Sequence, residues 1–298
     1  MDEVDIEITI RLAQNSRISF RELADTLDLS VNAVHKRVQT LQELGIFNRF
    51  QATVSFMVFR PVLVLVSGFS QSSYLDKAVE ELGKDRRIFK VIMAGGNMIY
   101  VHAFLRDLSE LQDLLEVTRK KGEMINPSFG FFQPPEMVLP PLSSMDYRIL
   151  NVIKDDARMA VSDIAEELGV TTKTVRRRLS RMEKEGLIAL TIDFVPTASS
   201  DIITILHLKV SDPEKRKEMV PSLMDKYRPH VIGLSCLFDP HDIVYCNLWT
   251  KNMKEMTRII EDIRKDERVE SVVPNIYYNQ KTFETWIDDL IRERAGVR

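Results

Sequence analysis

The chain has little cysteine and no long apolar run, and each shortage excludes a class of protein. Only Cys236 and Cys246 occur among 298 residues, too few for a disulfide framework and without the neighbouring ligands of a zinc site. We expect both to be reduced and structural, with a redox pair as the alternative. No apolar run approaches the roughly 20 residues that cross a bilayer. The first residues, MDEVDIEITIR, are acidic where a secretion signal is basic, so we expect a cytoplasmic protein.

The net charge is also small, at −3 from 41 basic and 44 acidic residues. This balance excludes a protein that coats nucleic acid with its whole surface. Any contact with a polyanion must therefore come from a local patch. The stretch TTKTVRRRLSRMEKEGL, residues 171–187, holds four arginines and two lysines and is the obvious candidate.

An internal repeat organises the chain. Residues 4–47 align without a gap on residues 145–188, at an offset of 141. Identical pairs include Asp5 with Asp146, Ile8 with Ile149, Arg17 with Arg158, Ala24 with Ala165, Leu27 with Leu168, Val34 with Val175, Arg37 with Arg178, and Gly45 with Gly186. We interpret this as a tandem duplication.

Each copy of the repeat predicts three short helices. Ser19 and Glu22 form a capping-box pattern that starts the second helix of the first copy, and the second copy lacks this serine. Ser30 and Thr171 stand where the third helix needs a cap. The link between the second and third helices is so short that they must cross steeply, as in a helix-turn-helix.

A different module follows each copy, and its hydrophobic periods predict the order β-α-β-β-α-β. That order is typical of a ferredoxin-like sheet with helices on one face, so the fold class is α+β. The other face of each sheet needs a partner. A final amphipathic segment, TFETWIDDLIRERAG, predicts a helix that packs on the body of the protein. The predicted segments are helix-turn-helix domains at 1–55 and 145–195, ferredoxin-like modules at 56–132 and 196–298, and a proline-rich linker at 133–144.

The pattern LA..L.LS...V..RV..L...GI, followed by such a module, resembles the Lrp/AsnC family of transcription regulators. The likeness covers nearly the whole chain, twice. Members of that family pair a helix-turn-helix with a ligand-sensing effector module and dimerise through their effector sheets. The resemblance implies that one chain imitates a dimer, that double-stranded DNA is its partner, and that two chains can pair as a homodimer through the effector modules.

The third helix of each copy predicts the DNA contacts, since in this motif its first turns face base edges and phosphates. Val34, Val38, Val175 and Leu179 are expected in the core. For Arg17 and Arg158 two roles stay open, contact with phosphate or a tie between the first two helices. The predicted DNA-binding residues are Val31, Asn32, Ala33, His35, Lys36 and Arg37 in the first copy, and Thr172, Lys173, Thr174, Arg176, Arg177, Arg178 and Arg181 in the second.

The resemblance also implies a small-molecule effector site at the turn between the second and third strands of each module. Both turns depart from the family pattern, because the first has no acid and the second has no glycine. Glycines there also suit an ordinary turn. The residues at these turns that could bind an effector are Gly95, Gly96 and Asn97, and Asp239, His241 and Asp242.

Two other classes of function stay open. Siroheme decarboxylases resemble this family in architecture, and HDIVYCNLWT, residues 241–250, is similar to one of their strands. A pure assembly protein would also explain the duplication. Neither explains the basic helix, and the histidines form no triad or metal-ligand spacing. We therefore expect no enzyme, no cofactor and no metal.

Overall fold

A computed structural model describes residues 1–132 and 138–296. The chain divides into two compact units. Within the described residues, the first unit comprises residues 1–60, 138–199 and 287–296, and the second comprises residues 61–132 and 200–286. Thus the two helix-turn-helix segments share one unit and the eight strands of the two modules share the other, whereas the last helix from residue 287 belongs to the first unit. Residues 133–137 of the predicted linker lie outside the described residues.

Eleven α-helices and ten strands occur in the described residues. The helices are α1 Glu3–Gln14, α2 Phe20–Leu27, α3 Val31–Glu43, α4 Leu75–Gly83, α5 Leu111–Lys120, α6 Ser144–Ile153, α7 Val161–Leu168, α8 Thr172–Lys184, α9 Arg216–Lys226, α10 Met253–Ile263 and α11 Trp286–Ala295. The strands are β1 Phe50–Val54, β2 Val62–Ser70, β3 Ile88–Ala94, β4 Met98–Leu105, β5 Met124–Phe132, β6 Ile188–Ile192, β7 Ile202–Val210, β8 Val231–Asp239, β9 Ile243–Thr250 and β10 Val269–Thr282.

Polar caps fix where the helices of the first unit begin. Ser19 accepts a hydrogen bond from the Glu22 amide at 3.0 Å, which is the serine half of the predicted capping box. In the second copy Ala160 makes no such bond, as expected. A complete capping box that the sequence analysis missed joins Ser143 to Asp146 at the start of α6.

A two-stranded ribbon joins the two copies within the first unit. β1 pairs antiparallel with β6, from Phe50 opposite Ile192 to Val54 opposite Ile188. Ala52 of β1 lies in the core of the second helix-turn-helix.

The predicted packing of the last helix is confirmed, because Ile287 is 5% exposed. The helix begins at Trp286, later than predicted, because β10 runs on to Thr282.

Both modules show the predicted order of strands and helices, and their eight strands form one closed barrel. Each half has the ferredoxin-like sheet order, β3-β4-β2-β5 in the first and β8-β9-β7-β10 in the second. The halves join edge to edge at two seams, β5 with β8 and β10 with β3. The sheet faces that lack helices therefore become the interior of the barrel.

Successive side chains along each strand point alternately to the outside and to the inside of the barrel. Val64, Val66 and Val101 point outward into a core shared with α4 and α5. Tyr100 and His207 take the opposite face, where the tyrosine hydroxyl and the imidazole Nε2 lie 2.7 Å apart. Because these residues come from different modules, this hydrogen bond crosses the interior and ties the two halves together.

Candidate nucleic-acid interface

The helices α3 and α8 are built alike. Ser30 caps α3 by accepting from the Ala33 amide at 3.1 Å, and Thr171 caps α8 by accepting from the Thr174 amide at 3.2 Å. Each helix ends just before a glycine with a left-handed backbone, Gly45 or Gly186. The core predictions are confirmed, since Val34, Val38, Val175 and Leu179 are at most 3% exposed.

The early turns of both helices present a polar, basic surface. Most of the residues predicted to bind DNA are exposed there, and Ala33 and Thr174 are half-buried. On α3, the His35 ring packs edge-on against Phe20, with the ring centroids 5.6 Å apart. The exposed residues of the predicted set are Val31, Asn32, His35 and Lys36 on α3, and Thr172, Lys173, Arg176 and Arg177 on α8.

Three arginines of the predicted set are instead held in ion pairs within the protein. Arg37 bonds Asp5 at 2.6 Å and Asp2 at 2.8 Å. Arg178 and Arg181 both bond Asp146, whose side chain is completely buried, at 3.0 and 2.7 Å. The sequence alone places these arginines among the DNA-facing residues, because their carboxylate partners lie on another helix, 32 to 35 positions away.

The Asp146 carboxyl group is kept ionised, so it can hold both arginines. Burial by itself raises the pKa of its carboxyl group, but hydrogen bonds from Ser143 and Arg178 and the charge of Arg181 lower it, and the net pKa lies below the ordinary value. The carboxylate therefore stays ionised and holds the C-terminal half of α8 against α6.

Arg17 and Arg158 take neither of the roles foreseen for them, because each reaches into the other copy. Arg17 donates to the carbonyls of Ala157 at 2.5 Å and Met159 at 3.1 Å. Arg158 donates to the carbonyls of Ser16 at 2.6 Å and Ile18 at 3.0 Å. The two contacts are reciprocal, and we call them the arginine clamp.

Aromatic rings support one side of the clamp. The Arg158 guanidinium lies 4.6 Å from the centroid of Phe20 and 4.1 Å from that of Phe50. Burial lowers the pKa of both clamp arginines, but arginine stays charged at any relevant pH. The matched positions of Arg17 and Arg158 were visible in the repeat, but their partners, 140 to 142 residues away, were not.

The predicted effector turns are present in the barrel. Gly95, Gly96 and Asn97 form a tight turn, where Asn97 donates to the Ser72 carbonyl at 3.4 Å. At the other turn, the carbonyl of His241 accepts from Arg216 at 2.9 Å, and the carbonyl of Asp242 accepts from the Val210 amide at 2.8 Å. Asp239 pairs with Phe131 across the seam of β5 and β8.

The part of the chain that the structure describes contains no group of three or more His, Cys, Asp or Glu side chains that could hold a metal ion. It also contains no helix long and apolar enough to cross a membrane.

Known families and proteins match this architecture. Residues 1–42 match the AsnC-type helix-turn-helix domain, and residues 142–189 match a winged helix-turn-helix DNA-binding domain. An uncharacterised HTH-type transcriptional regulator of Pyrococcus horikoshii is 31% identical over 145 residues, which span 47% of this chain and 88% of that protein. The chain belongs to the Lrp/AsnC family. Another uncharacterised regulator, of Pyrococcus furiosus, is 30% identical over 145 residues, 47% of this Lrp/AsnC chain and 94% of its own length.

A solved structure matches this Lrp/AsnC protein over its full length. The siroheme decarboxylase NirDL has a TM-score of 0.62 at 11% identity, and the match covers 99% of each chain. A second structure of that enzyme, in complex with an iron-uroporphyrin III analogue, has a TM-score of 0.61, with 98% of this chain and 99% of that one covered, also at 11% identity. At this identity the likeness concerns the fold alone.

Proposed function

We propose that the protein is a DNA-binding transcription regulator in which one chain supplies the pair of reading helices that a dimer supplies elsewhere. The arginine clamp carries this proposal, because it ties two helix-turn-helix motifs to each other through matched contacts. The β1 and β6 ribbon adds a second connection. Two helices held in a fixed relation suit a site with two half-sites, since the spacing of half-sites follows the geometry of the protein.

The exposed residues of α3 and α8 supply the contacts to DNA in this proposal. Asn32 can pair with adenine, and Lys or Arg can pair with guanine or neutralise phosphates. Arg37, Arg178 and Arg181 act by positioning the helices, since carboxylates already hold them. Among the predicted contact residues, all of which the structure describes, the basic groups without an ion pair are thus Lys36 on α3, and Lys173, Arg176 and Arg177 on α8.

We also propose that the chain binds a small-molecule effector and pairs with a second copy of itself. An effector that binds the barrel would bias the DNA-binding unit, as expected of a ligand-sensing regulator. The closed barrel pairs the strand edges of both modules with each other. A homodimer through these modules therefore has to use their outer surfaces. Since its target is DNA, we place the protein in the cytoplasm.

Selection of bound genomic fragments tests the DNA-binding proposal. The full-length chain and a variant with both Arg176→Ala and Arg177→Ala are incubated with sheared genomic DNA at low and moderate salt. Both substituted side chains are exposed, and the ion pairs with Asp146 are left intact. We expect the wild type to enrich fragments with a shared motif and the variant to lose most of that enrichment.

A matched control removes the same charge elsewhere. Lys217→Ala with Lys254→Ala deletes two exposed cations of the second unit and should leave the enrichment unchanged. Equal losses in both variants would show that only general electrostatic attraction is involved. No enrichment by the wild type at any salt concentration would overturn the proposal and favour an assembly protein.

The second candidate is an enzyme that acts on a tetrapyrrole, and the full-length fold likeness to NirDL favours it. The barrel interior also contains imidazole and phenol groups, such as His207 and Tyr100. Titration of the purified chain with an iron-uroporphyrin III analogue, followed by visible absorbance, tests this candidate. An unchanged absorption band would remove it.

A further inference from the structure

One end of the barrel interior contains an aromatic and basic cluster, defined as Phe89, Lys90, His102, Phe104 and Phe132. Lys90 lies directly opposite His102 in the register of β3 and β4. The next residues of both strands point outward into the core under the helices, so Lys90 and His102 point inward. Phe89 stacks on Phe104 with ring centroids 4.2 Å apart, and Phe132 stacks on His102 at 6.0 Å.

The residues of the cluster are more accessible than Tyr100 and Ser67 of the same module. Tyr100, in the middle, is 1% exposed and Ser67 is 7% exposed. All five residues of the cluster are half-buried, as are His207 and Tyr245 next to Tyr100. A barrel of eight strands has room inside for side chains or for one small ligand. The cluster therefore offers partly open aromatic faces and polar atoms.

The cationic group of the cluster lacks a counter-charge. Burial lowers the pKa of the Lys90 ammonium, and no neighbouring acid offsets this. Burial and the nearby lysine lower the pKa of His102 to about 3, so its imidazole is neutral. Among the described residues we find no ion pair or side-chain hydrogen bond for either group. A partly buried ammonium without an acid is a site for an anion.

Comparison of the two modules shows that the fold does not require this cluster. Tyr100 and Tyr245 are equivalent, because each lies opposite an inward residue of the first strand of its module, Ser67 on β2 or His207 on β7. Two residues further along come His102 in the first module and Asn247 in the second. Their partners on the neighbouring strand are Lys90 and Gly233. At these equivalent positions the second module has neither a charge nor an imidazole.

We propose that the aromatic and basic cluster binds a small planar organic carboxylate, with its ring against the phenylalanines and its carboxylate on Lys90 Nζ and the His102 ring N–H. A flat apolar body suits the stacked rings. One carboxylate matches one ammonium. The site lies in the barrel interior, and an effector that binds there would be a planar carboxylate. Only its regulatory consequence rests on the proposed function.

Isothermal titration calorimetry on the full chain, without DNA, tests the site. The probes are benzoate and 1-naphthoate, each paired with its neutral amide. We expect at least one acid to bind with one-to-one stoichiometry and roughly tenfold more tightly than its amide, as one charge-assisted hydrogen bond supplies. Lys90→Met should reduce the acid to the affinity of the amide. His102→Asn, which copies the second module, should weaken the acid severalfold.

Lys209→Met is the matched control, because that lysine of the same barrel already pairs with Glu270 at 2.8 Å. It should leave binding unchanged, and thermal melting should show that every variant is folded. Equal affinity for acid and amide, absence of binding by both acids, or wild-type affinity in Lys90→Met and His102→Asn would overturn the proposal. Since calorimetry contains no DNA, its result is independent of whether the chain binds DNA.

Discussion

Asp146 shows how much one residue does for the second reading helix. Its buried carboxylate holds two arginines, while the equivalent Asp5 is 18% exposed and shares Arg37 with Asp2. We expect Asp146→Ala to lower the free energy of unfolding by about 3 kcal/mol, as is usual when one partner of a buried pair is removed. Asp5→Ala should cost about 1 kcal/mol or less. Urea denaturation measures both, and equal losses would contradict this account.

His207 makes the barrel sensitive to acid. Burial lowers its pKa from 6.5 to about 4, so the folded barrel keeps the imidazole neutral where the unfolded chain takes up a proton. Stability is therefore full above pH 6.5 and declines as the pH falls towards 4. Urea midpoints at pH 7.5 and 5.0 should differ, and His207→Gln should reduce that difference. An unchanged difference in the variant would assign the acid sensitivity to other groups, such as His102.

In the first unit, α7 lacks the side-chain cap that its counterpart α2 has. Ala160 is exposed, has the extended backbone of a capping residue, and precedes Asp163 at the position of a capping box. Ala160→Ser should therefore stabilise the protein by about 1 kcal/mol, and Ser19→Ala should destabilise it by a similar amount. Thermal denaturation of both variants checks the pair. A neutral effect of Ala160→Ser would mean that the tertiary contacts of α7 already fix its start.

The elements also show what a sequence can predict. Hydrophobic periods and cap residues located the helices α3 and α8 and their core residues, since these signals are local. The arginine clamp could not be predicted from the sequence, because the partners of Arg17 and Arg158 are backbone carbonyls in the other copy. The extension of β10 to Thr282 was also missed. Its last residues pair with β3, almost 200 positions away, and local periodicity contains no such information.

For the whole molecule, the important feature is that two similar halves differ at the exposed positions of α3 and α8 that we propose to contact DNA. The ribbon and the arginine clamp relate the halves by near-equivalent contacts, so the reading unit is close to two-fold in its backbone. Its exposed surfaces differ, since α8 presents more free basic groups than α3. A protein of this kind should bind an asymmetric operator, because each half-site meets different side chains.

Base-resolution footprinting and salt dependence test this asymmetry together in the full chain. Each phosphate contact contributes a slope of roughly −0.9 to the dependence of log affinity on log salt. Arg176→Ala with Arg177→Ala should therefore reduce the slope by about 2, and Lys36→Ala by about 1. The double variant should first lose protection over one half-site, and Asn32→Ala should lose it over the other. A perfect palindrome with equal losses from both helices would mean that two chains pair symmetrically on DNA, each contributing the same helix.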